Sequence, residues 1–453
     1  MTSEQSRPFY KLLVLSAIFG AVAALQFLLF ALVLKYGTQA IWQGIAGKFG
    51  LSYGTASPFF ILAFCIIGGL AVGIITKLTK VKPTLLVDDL QDVGETGGMD
   101  PRIGYVAMIR GLIGLLFGGS IGPEGPLTGG SGGLGTFIAE KLKFERPVKG
   151  AATLSAVSGM FGAFLGSPFV FPLFIIEGTG KVNWKAILPA FVAGSVGFGV
   201  YDIITQTVYG PIYQFPPYGG FHFVELLEAV LLGLIGGGLG ILFIRFYRTL
   251  KTAARRWESR PIELAVIAGA ILGTVGIFFP LVLFDGQNQV NVLLLHTAEY
   301  GAIFLIALAL FKLFVTVVCL ALGWNGGYIF PSYFIGASMG IAVHIIFPFI
   351  PETVCLACTM TSVAVVLIRS PIAITLLTLG LFGLHITPIV AVSATTAFII
   401  GYGETLLLPH PGQPHLTKSQ ASPSTPGGSS PGQQAPPEAP SNSPPAPETP
   451  PAS

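Results

Sequence analysis

Long apolar runs separated by short polar segments make up most of this chain. Eight of these runs approach or exceed the roughly 20 residues that a helix needs to cross a bilayer. They lie at about 12–34, 58–76, 186–200, 223–244, 263–284, 302–323, 331–350 and 371–400. The pattern predicts an all-α protein that crosses a membrane several times. The first run is too long for a removable signal peptide, so we expect it to be the first spanning helix.

Composition points to the same class of protein. Of the 453 residues, 52% are hydrophobic and 10% are charged, whereas soluble domains have roughly 25% charged residues. The net charge is only +3, but the segment 245–260 holds six Lys or Arg residues and one acid, and 208–222 holds no Lys or Arg. The positive-inside rule therefore predicts that 245–260 faces the cytoplasm. A nucleic-acid patch is the weaker interpretation, and we expect no nucleic-acid partner.

One carboxylate stands inside this hydrophobic sequence. The segment 120–131 reads Ser-Ile-Gly-Pro-Glu-Gly-Pro-Leu-Thr-Gly-Gly-Ser and contains Glu124. An ionisable side chain at membrane depth is costly, so Glu124 is a candidate functional residue. A helix that starts after Pro126 would direct its unpaired N–H groups back toward Glu124, and such groups attract anions. A carboxylate at this position can take the place of an anion, so we interpret Glu124 as a gate.

The interrupted segments recur at a fixed distance along the chain. Pro126 and Pro331 each open a segment after a glycine-rich stretch, 205 residues apart, and Ser167 and Ser370 each precede a proline, 203 residues apart. Matched interruptions in two halves indicate a transporter with its ion site between two repeats. We predict a membrane domain over 1–409, with halves at roughly 1–208 and 223–409.

The composition changes abruptly at the C-terminal end. From about residue 410 to 453 the chain consists mostly of Pro, Ser, Gly and Gln, with almost no large apolar side chain. Such a segment cannot bury enough surface to offset the entropy lost on ordering. We therefore predict that 410–453 is a disordered tail and not a further domain.

Four motifs lie in order between about residues 105 and 400. They are Gly122-Pro123-Glu124-Gly125-Pro126, the stretch Phe164–Glu177, Gly326-Gly327-Tyr328-Ile329-Phe330-Pro331, and Ile368-Arg369-Ser370-Pro371. Their order and spacing resemble the CLC family of chloride channels and transporters. The first is similar to that family's G-[KR]-E-G-P motif, with Pro123 in place of the basic residue. The others resemble its helix ending in paired glutamates, its G-G-x-F-x-P motif and its I-R-A-P motif.

The resemblance implies a CLC-like fold of two inverted repeats with tilted and broken helices, present as a homodimer in the cell membrane. Each subunit would carry its own route for small monovalent anions, chloride first among them, without a cofactor. Glu124 would be the external gating glutamate, whose carboxylate competes with the anion and can carry a proton. The central anion site would be lined by the segment that begins at Gly327, through the amides of Tyr328, Ile329 and Phe330.

The chain also departs from the family's motifs. No serine stands at 80–95, where the first anion motif should fall, and Thr84 is the substitute that we consider. Gly178 replaces the second paired glutamate, the proton acceptor of coupled exchangers, which leaves Glu177 as an interfacial or a pathway residue. The coordinating tyrosine is expected near residue 409, and Tyr402 is the nearest candidate. We predict weak or absent proton coupling, with a proton-coupled chloride antiporter as the alternative.

Two cationic side chains are further candidates for the anion route. Arg369 precedes Ser370 and Pro371, where it can attract anions into a vestibule or simply extend to the membrane surface. Lys312 stands within an apolar run, one helix before the Gly326 loop. Both residues have a structural explanation as well, so we take them as candidates to be located in the fold.

Patterns typical of enzymes and metal sites are weak. Residues 129–133 satisfy G-x-S-x-G, but a nucleophile elbow also needs a preceding strand. Tyr201-Asp202 lacks the second aspartate of an intramembrane protease. Cys355 and Cys358 form a lone C-x-x-C, without the second pair that zinc requires. We expect neither an enzyme nor a metal site, and an intramembrane hydrolase remains the alternative from a different class.

Overall fold

The computed structural model describes residues 3–45, 58–85, 93, 96–180, 182–205 and 213–406. In these residues every regular element is helical, which confirms the all-α fold. The helices are α1 (Ser3–Gln39), α2 (Pro58–Thr79), α3 (Pro101–Leu116), α4 (Glu124–Lys141), α5 (Arg146–Leu165), α6 (Val170–Thr179), α7 (Trp184–Thr205), α8 (Glu225–Ala254), α9 (Pro261–Phe278), α10 (Gln287–Leu295), α11 (Ala302–Ala321), α12 (Ile329–Ile346), α13 (Glu352–Ile368), α14 (Pro371–Phe382) and α15 (Thr387–Ile400). A π-helical turn follows α1, and short 3-10 turns lie at Arg255–Trp257, Pro280–Val282, Thr297–Glu299 and Leu384–Ile386. The predicted tail, 410–453, lies outside the described residues.

Eight helical stretches in the described part of the chain are long and apolar enough to cross a membrane. They are Phe9–Ile45, Pro58–Thr79, Val148–Leu165, Trp184–Thr205, Glu225–Trp257, Pro261–Phe278, Ala302–Ala321 and Ile329–Ile346. All but Val148–Leu165 coincide with apolar runs predicted from the sequence. That stretch escapes prediction because its many Gly, Ala, Ser and Thr residues lower its hydropathy.

The prediction of a single span over 371–400 is wrong. The run forms two helices, α14 and α15, which are separated at Gly383 with φ +93°. Glycine adopts this left-handed conformation without the steric cost that other residues meet. Helix α14 has only 12 residues, which gives a length of about 18 Å, well short of the roughly 30 Å hydrocarbon core. Broken helices of this kind are what the repeat motifs indicated.

The fold consists of two repeats. Helices α2 to α7 recur in the same order as α9 and α11 to α15, and equivalent helices begin 201–206 residues apart. The packing within the repeats is also equivalent. Helix α5 packs on α7 in the first repeat, and α13 packs on α15 in the second. In the same way, α1 contacts α5 and α7, and α8 contacts α13 and α15. Helices α2 and α6 pack directly on their own counterparts, α9 and α14. The two repeats predicted from the motif spacing, which the family resemblance implies are inverted, are confirmed.

Two non-helical segments, 117–123 and 322–328, lie between helices in the interior. Each one precedes a helix start, at Glu124 for α4 and at Ile329 for α12. Their polar backbone groups find partners within the protein: the Gly119 amide donates to Gly114 at 2.8 Å and the Trp324 amide to Cys319 at 2.9 Å. Irregular backbone at membrane depth requires such internal partners. The two segments thereby bring the N-termini of α4 and α12 close together in the interior of the protein.

Candidate functional site

The two glycine-rich motifs meet directly. The Gly122 amide donates to the Gly327 carbonyl at 2.8 Å, and the Gly327 amide donates back to the Gly122 carbonyl at 2.7 Å. These residues are 205 positions apart, so equivalent points of the two repeats face each other. A Cβ atom on Gly125 would lie 2.9 Å from the Gly326 carbonyl carbon. Only glycine permits the two backbones to approach this closely.

Glu124 lies at the centre of this junction and is 0% exposed. It is the first residue of α4, and its Oε1 accepts a hydrogen bond of 2.5 Å from the Ile329 amide of α12. The Tyr328 amide also interacts with the carboxylate. The sequence interpretation directed Glu124 at the helix that follows Pro126. The structure corrects this point, because the carboxylate of the first repeat lies on the helix start of the second.

Glycine forms the cradle around this carboxylate. A Cβ atom built on either Gly122 or Gly327 would collide with the carboxyl group of Glu124. The second carboxyl oxygen, Oε2, is buried and has no hydrogen-bond partner within the described residues. The cradle therefore has room for a small anionic group, and it presents backbone donors to that group.

The predicted anion-site segment lies at the start of α12. Tyr328, Ile329 and Phe330 are all buried, and the Phe330 ring packs on Phe164 with centroids 5.2 Å apart. The first N–H groups of a helix have no partner within the helix, and they carry the positive end of its dipole. The structure thus brings Glu124, Gly327 and the three amides of this segment into one cluster.

The segment of Thr84 is joined to Asn325, two residues before Gly327, with the help of a buried arginine. The Thr84 amide donates to Asn325 Oδ1 at 3.4 Å, and Arg110 donates to the same oxygen at 2.5 Å. Arg110, which is 0% exposed, also donates to the carbonyls of Val81 at 2.9 Å and Lys82 at 3.3 Å. Sequence reasoning missed Arg110 and Asn325. The signal that could have found Arg110 is an arginine within an apolar run.

Glu177 lies at another helix start of the second repeat. Its two carboxyl oxygens accept hydrogen bonds from the amides of Ile372 at 2.7 Å and Ala373 at 2.9 Å. Glu177 therefore caps the N-terminus of α14, just as the Glu124 carboxylate lies at the N-terminus of α12. A Cβ atom on the adjacent Gly178 would meet nothing within 4 Å. The structure gives Glu177 a clear partner, which the sequence alone did not reveal.

Arg369 and Tyr402 contact each other and not the Glu124 cluster in the described part of the chain. Arg369 ends α13 in a left-handed conformation, φ 61°, and donates to the Tyr402 carbonyl at 3.3 Å. The Tyr402 side chain is 67% exposed and packs against Phe398. A residue this exposed does not line the buried cradle.

Lys312 is fully buried on α11 and serves a neighbouring loop. Its Nζ donates to the carbonyls of Val282 at 3.0 Å and Phe284 at 2.7 Å, and it lies over the Phe334 ring. Asp285, in the same loop, interacts electrostatically with both Lys312 and Glu124. Sequence reasoning missed Asp285. The lysine thus holds the loop that carries Asp285.

The patterns typical of enzymes and metals have structural roles in this fold. Ser131 lies within α4 and donates to Gln26 at 3.3 Å, and it does not stand at a turn between a strand and a helix. Cys355 and Cys358 are buried on α13. In the described residues no three His, Cys, Asp or Glu side chains form a group that could hold a metal.

Comparison with known proteins gives one consistent picture. The family model described as "Voltage gated chloride channel" matches residues 68–402. "Putative ion-transport protein YfeO" of Escherichia coli O17:K52:H18 is 25% identical over 379 residues, which cover 79% of this chain and 85% of that protein. The protein of the same name from Salmonella paratyphi A is 25% identical over 378 residues, covering 82% and 89%.

Solved structures share the fold at low sequence identity. A slow cyanobacterial Cl⁻/H⁺ antiporter superposes with a TM-score of 0.73 at 17% identity, covering 86% of this chain and 94% of that one. A CLC-type fluoride/proton antiporter superposes with a TM-score of 0.72 at 18% identity, covering 88% and 96%. At these identities the likeness concerns the fold alone.

Proposed function

This chain belongs to the family described as voltage gated chloride channels, and on that premise we propose that it carries small monovalent anions across a cell membrane. Chloride is the anion that we assign first, and Glu124 is the gate of its route. The protein acts as a homodimer in which each subunit has its own anion route.

One observation carries this proposal, namely the position of the Glu124 carboxylate on the Ile329 amide at the start of α12. Helix N-termini bind anions because their N–H groups are unpaired and the dipole is positive there. Chloride would use the donors of Ile329 and Tyr328 with which the carboxylate now interacts. Carboxylate and chloride therefore compete for one place, and this arrangement corresponds to a closed gate.

The chemistry of the cradle supports rapid exchange of the occupant. Gly122 and Gly327 have no side chains, so a small ion can replace the carboxyl group between them. Backbone donors supply partial charge without a full countercharge, which keeps a monovalent ion weakly held. When the Glu124 side chain moves away or takes a proton, these donors become available to chloride. Return of the charged carboxylate closes the route.

Proton-coupled chloride exchange is the second candidate, because Glu124 can carry a proton and the fold is that of known antiporters. Coupled exchange needs a second titratable station toward the other side of the membrane. Gly178 has no side chain, and Glu177 uses both carboxyl oxygens on the amides of α14. We therefore propose that coupling is weak or absent.

Anion efflux from liposomes containing the purified protein tests the proposal. Chloride, nitrate and fluoride are compared in parallel, with a pH probe enclosed in the liposomes. We expect chloride efflux well above that of protein-free liposomes. If none of the three anions leaves faster than from protein-free liposomes, the proposed function is wrong.

A further inference from the structure

A cavity of about 390 Å³ lies apart from the Glu124 site. It is formed by the ends of α2, α8 and α11, the start of α9 and the segment 80–83. Its volume falls within the range of small-molecule sites, roughly 300–1,000 Å³. Apolar side chains such as Val81, Leu264 and Leu322 form part of its wall. The space is far larger than a single chloride ion requires.

The charged residues of this cavity are mostly cationic. They are Lys77, Lys80, Lys82, Lys251, Arg255 and Glu258. Five cations and one acid leave a formal charge of +4, and the acid, Glu258, pairs with Lys82 at 3.2 Å. Charges of one sign in a cleft with apolar walls focus the electric field and attract counter-ions. The cavity therefore favours an anion that carries more than one charge.

Helix ends explain part of this charge, but not all of it. Lys77 and Lys251 lie in the last turns of α2 and α8, where cations interact favourably with the helix dipole. Lys80 lies beyond α2 and has a left-handed backbone with φ 58°. Glycine would adopt this conformation without strain. The Lys80 amide donates to the Thr76 carbonyl at 3.0 Å, so this residue adds a further cation at the end of α2.

The surroundings of the cavity are typical of a membrane surface. Leu78, beside Lys77, is 76% exposed, and Trp257, beside Glu258, is 46% exposed. The Arg260 guanidinium lies over the Trp257 ring at 5.3 Å. Tryptophan with a neighbouring cation is common where lipid headgroups begin. The cavity thus lies within reach of both headgroups and dissolved anions.

A chain of hydrogen bonds joins the cavity wall to the central site. The carbonyls of Val81 and Lys82, both in the wall, accept hydrogen bonds from Arg110. Arg110 in turn donates to Asn325, two residues before Gly327. Binding in the cavity would act on a segment that is fixed directly beside the Glu124 cluster.

We propose that this cavity binds a phosphate-bearing anion, either a dissolved phosphate compound or the headgroup of an anionic lipid. A phosphate group offers several acceptor oxygens and up to two charges, which match convergent ammonium and guanidinium donors. Chloride would leave most of the positive charge uncompensated. Binding at this cavity does not depend on the proposed transport function and can be measured without it.

The test measures binding to the purified protein in an uncharged detergent at roughly 150 mM KCl, where nonspecific attraction is screened. Inorganic pyrophosphate and dihexanoyl phosphatidic acid are titrated separately by calorimetry. The double variant Lys80→Gln/Arg255→Gln should bind about tenfold more weakly, because charge-assisted hydrogen bonds are lost. The control, Arg256→Gln, removes an adjacent exposed cation that does not line the cavity. It should leave binding unchanged.

Each outcome has one meaning. Variant-sensitive binding of pyrophosphate alone assigns the site to dissolved phosphates, and variant-sensitive binding of the lipid alone assigns it to headgroups. Variant-sensitive binding of both supports the shared chemistry. Absence of binding by both probes, or binding that the double variant and Arg256→Gln change equally, would overturn the proposal.

Discussion

At the scale of single residues, the proposed gate depends on the groups that now occupy the central donors. Glu124 is held through Oε1 by the Ile329 amide, whereas Oε2 has no hydrogen-bond partner among the described residues. Gly122 and Gly327 leave the space that the carboxyl group fills. The position of the side chain thus depends on the amides at the start of α12 and on two residues without side chains. Each of these features can be changed separately.

Glu124→Gln should accelerate chloride efflux and make it largely independent of external pH. The neutral amide resembles the protonated acid, and its hydrogen bond to the α12 donors is weaker by about 1 kcal/mol. This difference raises the ratio of open to closed protein roughly fivefold. Efflux from liposomes over a series of external pH values measures the effect. The control is Glu140→Gln on the same helix, which removes an exposed acid paired with Lys149. A Glu124→Gln protein with the rate and pH profile of the wild type would contradict the gate assignment.

Gly327→Ala should destabilise the protein by about 1–3 kcal/mol, the usual cost of overpacking, because its Cβ would collide with the Glu124 carboxyl group. In a Glu124→Ala background, the same substitution should cost clearly less. Thermal unfolding in detergent measures the difference. It is followed for the wild type, for the two single variants and for the double variant. Gly178→Ala is the matched control, since its Cβ would meet nothing within 4 Å. Equal costs in the two backgrounds would show that the carboxylate does not occupy the cradle.

At the scale of elements, helix starts of the second repeat receive carboxylates from the first. Glu124 of α4 lies on the start of α12, and Glu177 of α6 lies on the start of α14. A carboxylate at a helix start satisfies unpaired N–H groups and compensates the dipole. The two acids nevertheless differ, because both oxygens of Glu177 accept hydrogen bonds, whereas Oε2 of Glu124 has no hydrogen-bond partner among the described residues. This difference suggests a structural role for Glu177 and a movable role for Glu124.

A chloride gradient imposed on protein-containing liposomes should not drive sustained uphill proton movement. The reason is that Glu177 is engaged in capping α14 and that Gly178 cannot hold a proton. Internal pH, recorded with an enclosed dye, measures the movement. Glu124→Gln and Glu177→Gln serve as comparison proteins. Proton uptake that both substitutions abolish would make the protein an antiporter with Glu177 as its inner station.

Bromide should bind at the start of α12 once the carboxylate is neutral. In crystals of Glu124→Gln soaked in bromide, anomalous scattering should appear within hydrogen-bond distance of the amides of Tyr328, Ile329 or Phe330. The expectation follows from unpaired helix donors that lie in a buried cradle. Crystals of the wild type, soaked in parallel, should show a weaker peak there. Strong bromide peaks elsewhere, with none at these amides, would reject the site.

At the scale of the whole molecule, the two repeats meet at equivalent points. The Gly122–Gly327 bridge joins positions 205 residues apart, and α2 and α6 pack on their counterparts α9 and α14. Contacts between equivalent elements generate a shared interior from two similar sequences. The central site belongs to neither repeat alone, because one supplies the carboxylate and the other supplies the donors.

A protein that ends at residue 409 should remain a homodimer and carry chloride at the rate of the full chain. The expectation follows from composition, because 410–453 consists mostly of Pro, Ser, Gly and Gln with almost no large apolar side chain. Native mass spectrometry of both proteins measures the assembly, and liposome efflux measures the rate. A monomeric product, or a large loss of flux in a protein that is still dimeric, would show that the tail contributes to the working protein.

The sequence by itself determined the class of fold and singled out candidate residues for the site. Apolar runs of bilayer length predicted the spans, because hydropathy is a local property that a window of residues already contains. The spacing of Gly and Pro motifs predicted two repeats, and the motifs singled out Glu124 and the segment from Gly327 to Phe330. The local pattern failed at 371–400, where an apolar run does not reveal that Gly383 adopts a left-handed conformation.

Only the tertiary structure decided which groups face each other. Glu124 and Ile329 are 205 residues apart, and no local pattern states that the carboxylate of one repeat lies on the helix start of the other. The same holds for Arg110 with Asn325 and for the cations gathered around the cavity beside α2 and α8. Hydrogen bonds and charge pairs depend on distances of a few ångströms, and the packing of the repeats sets those distances, not the order of residues along the chain.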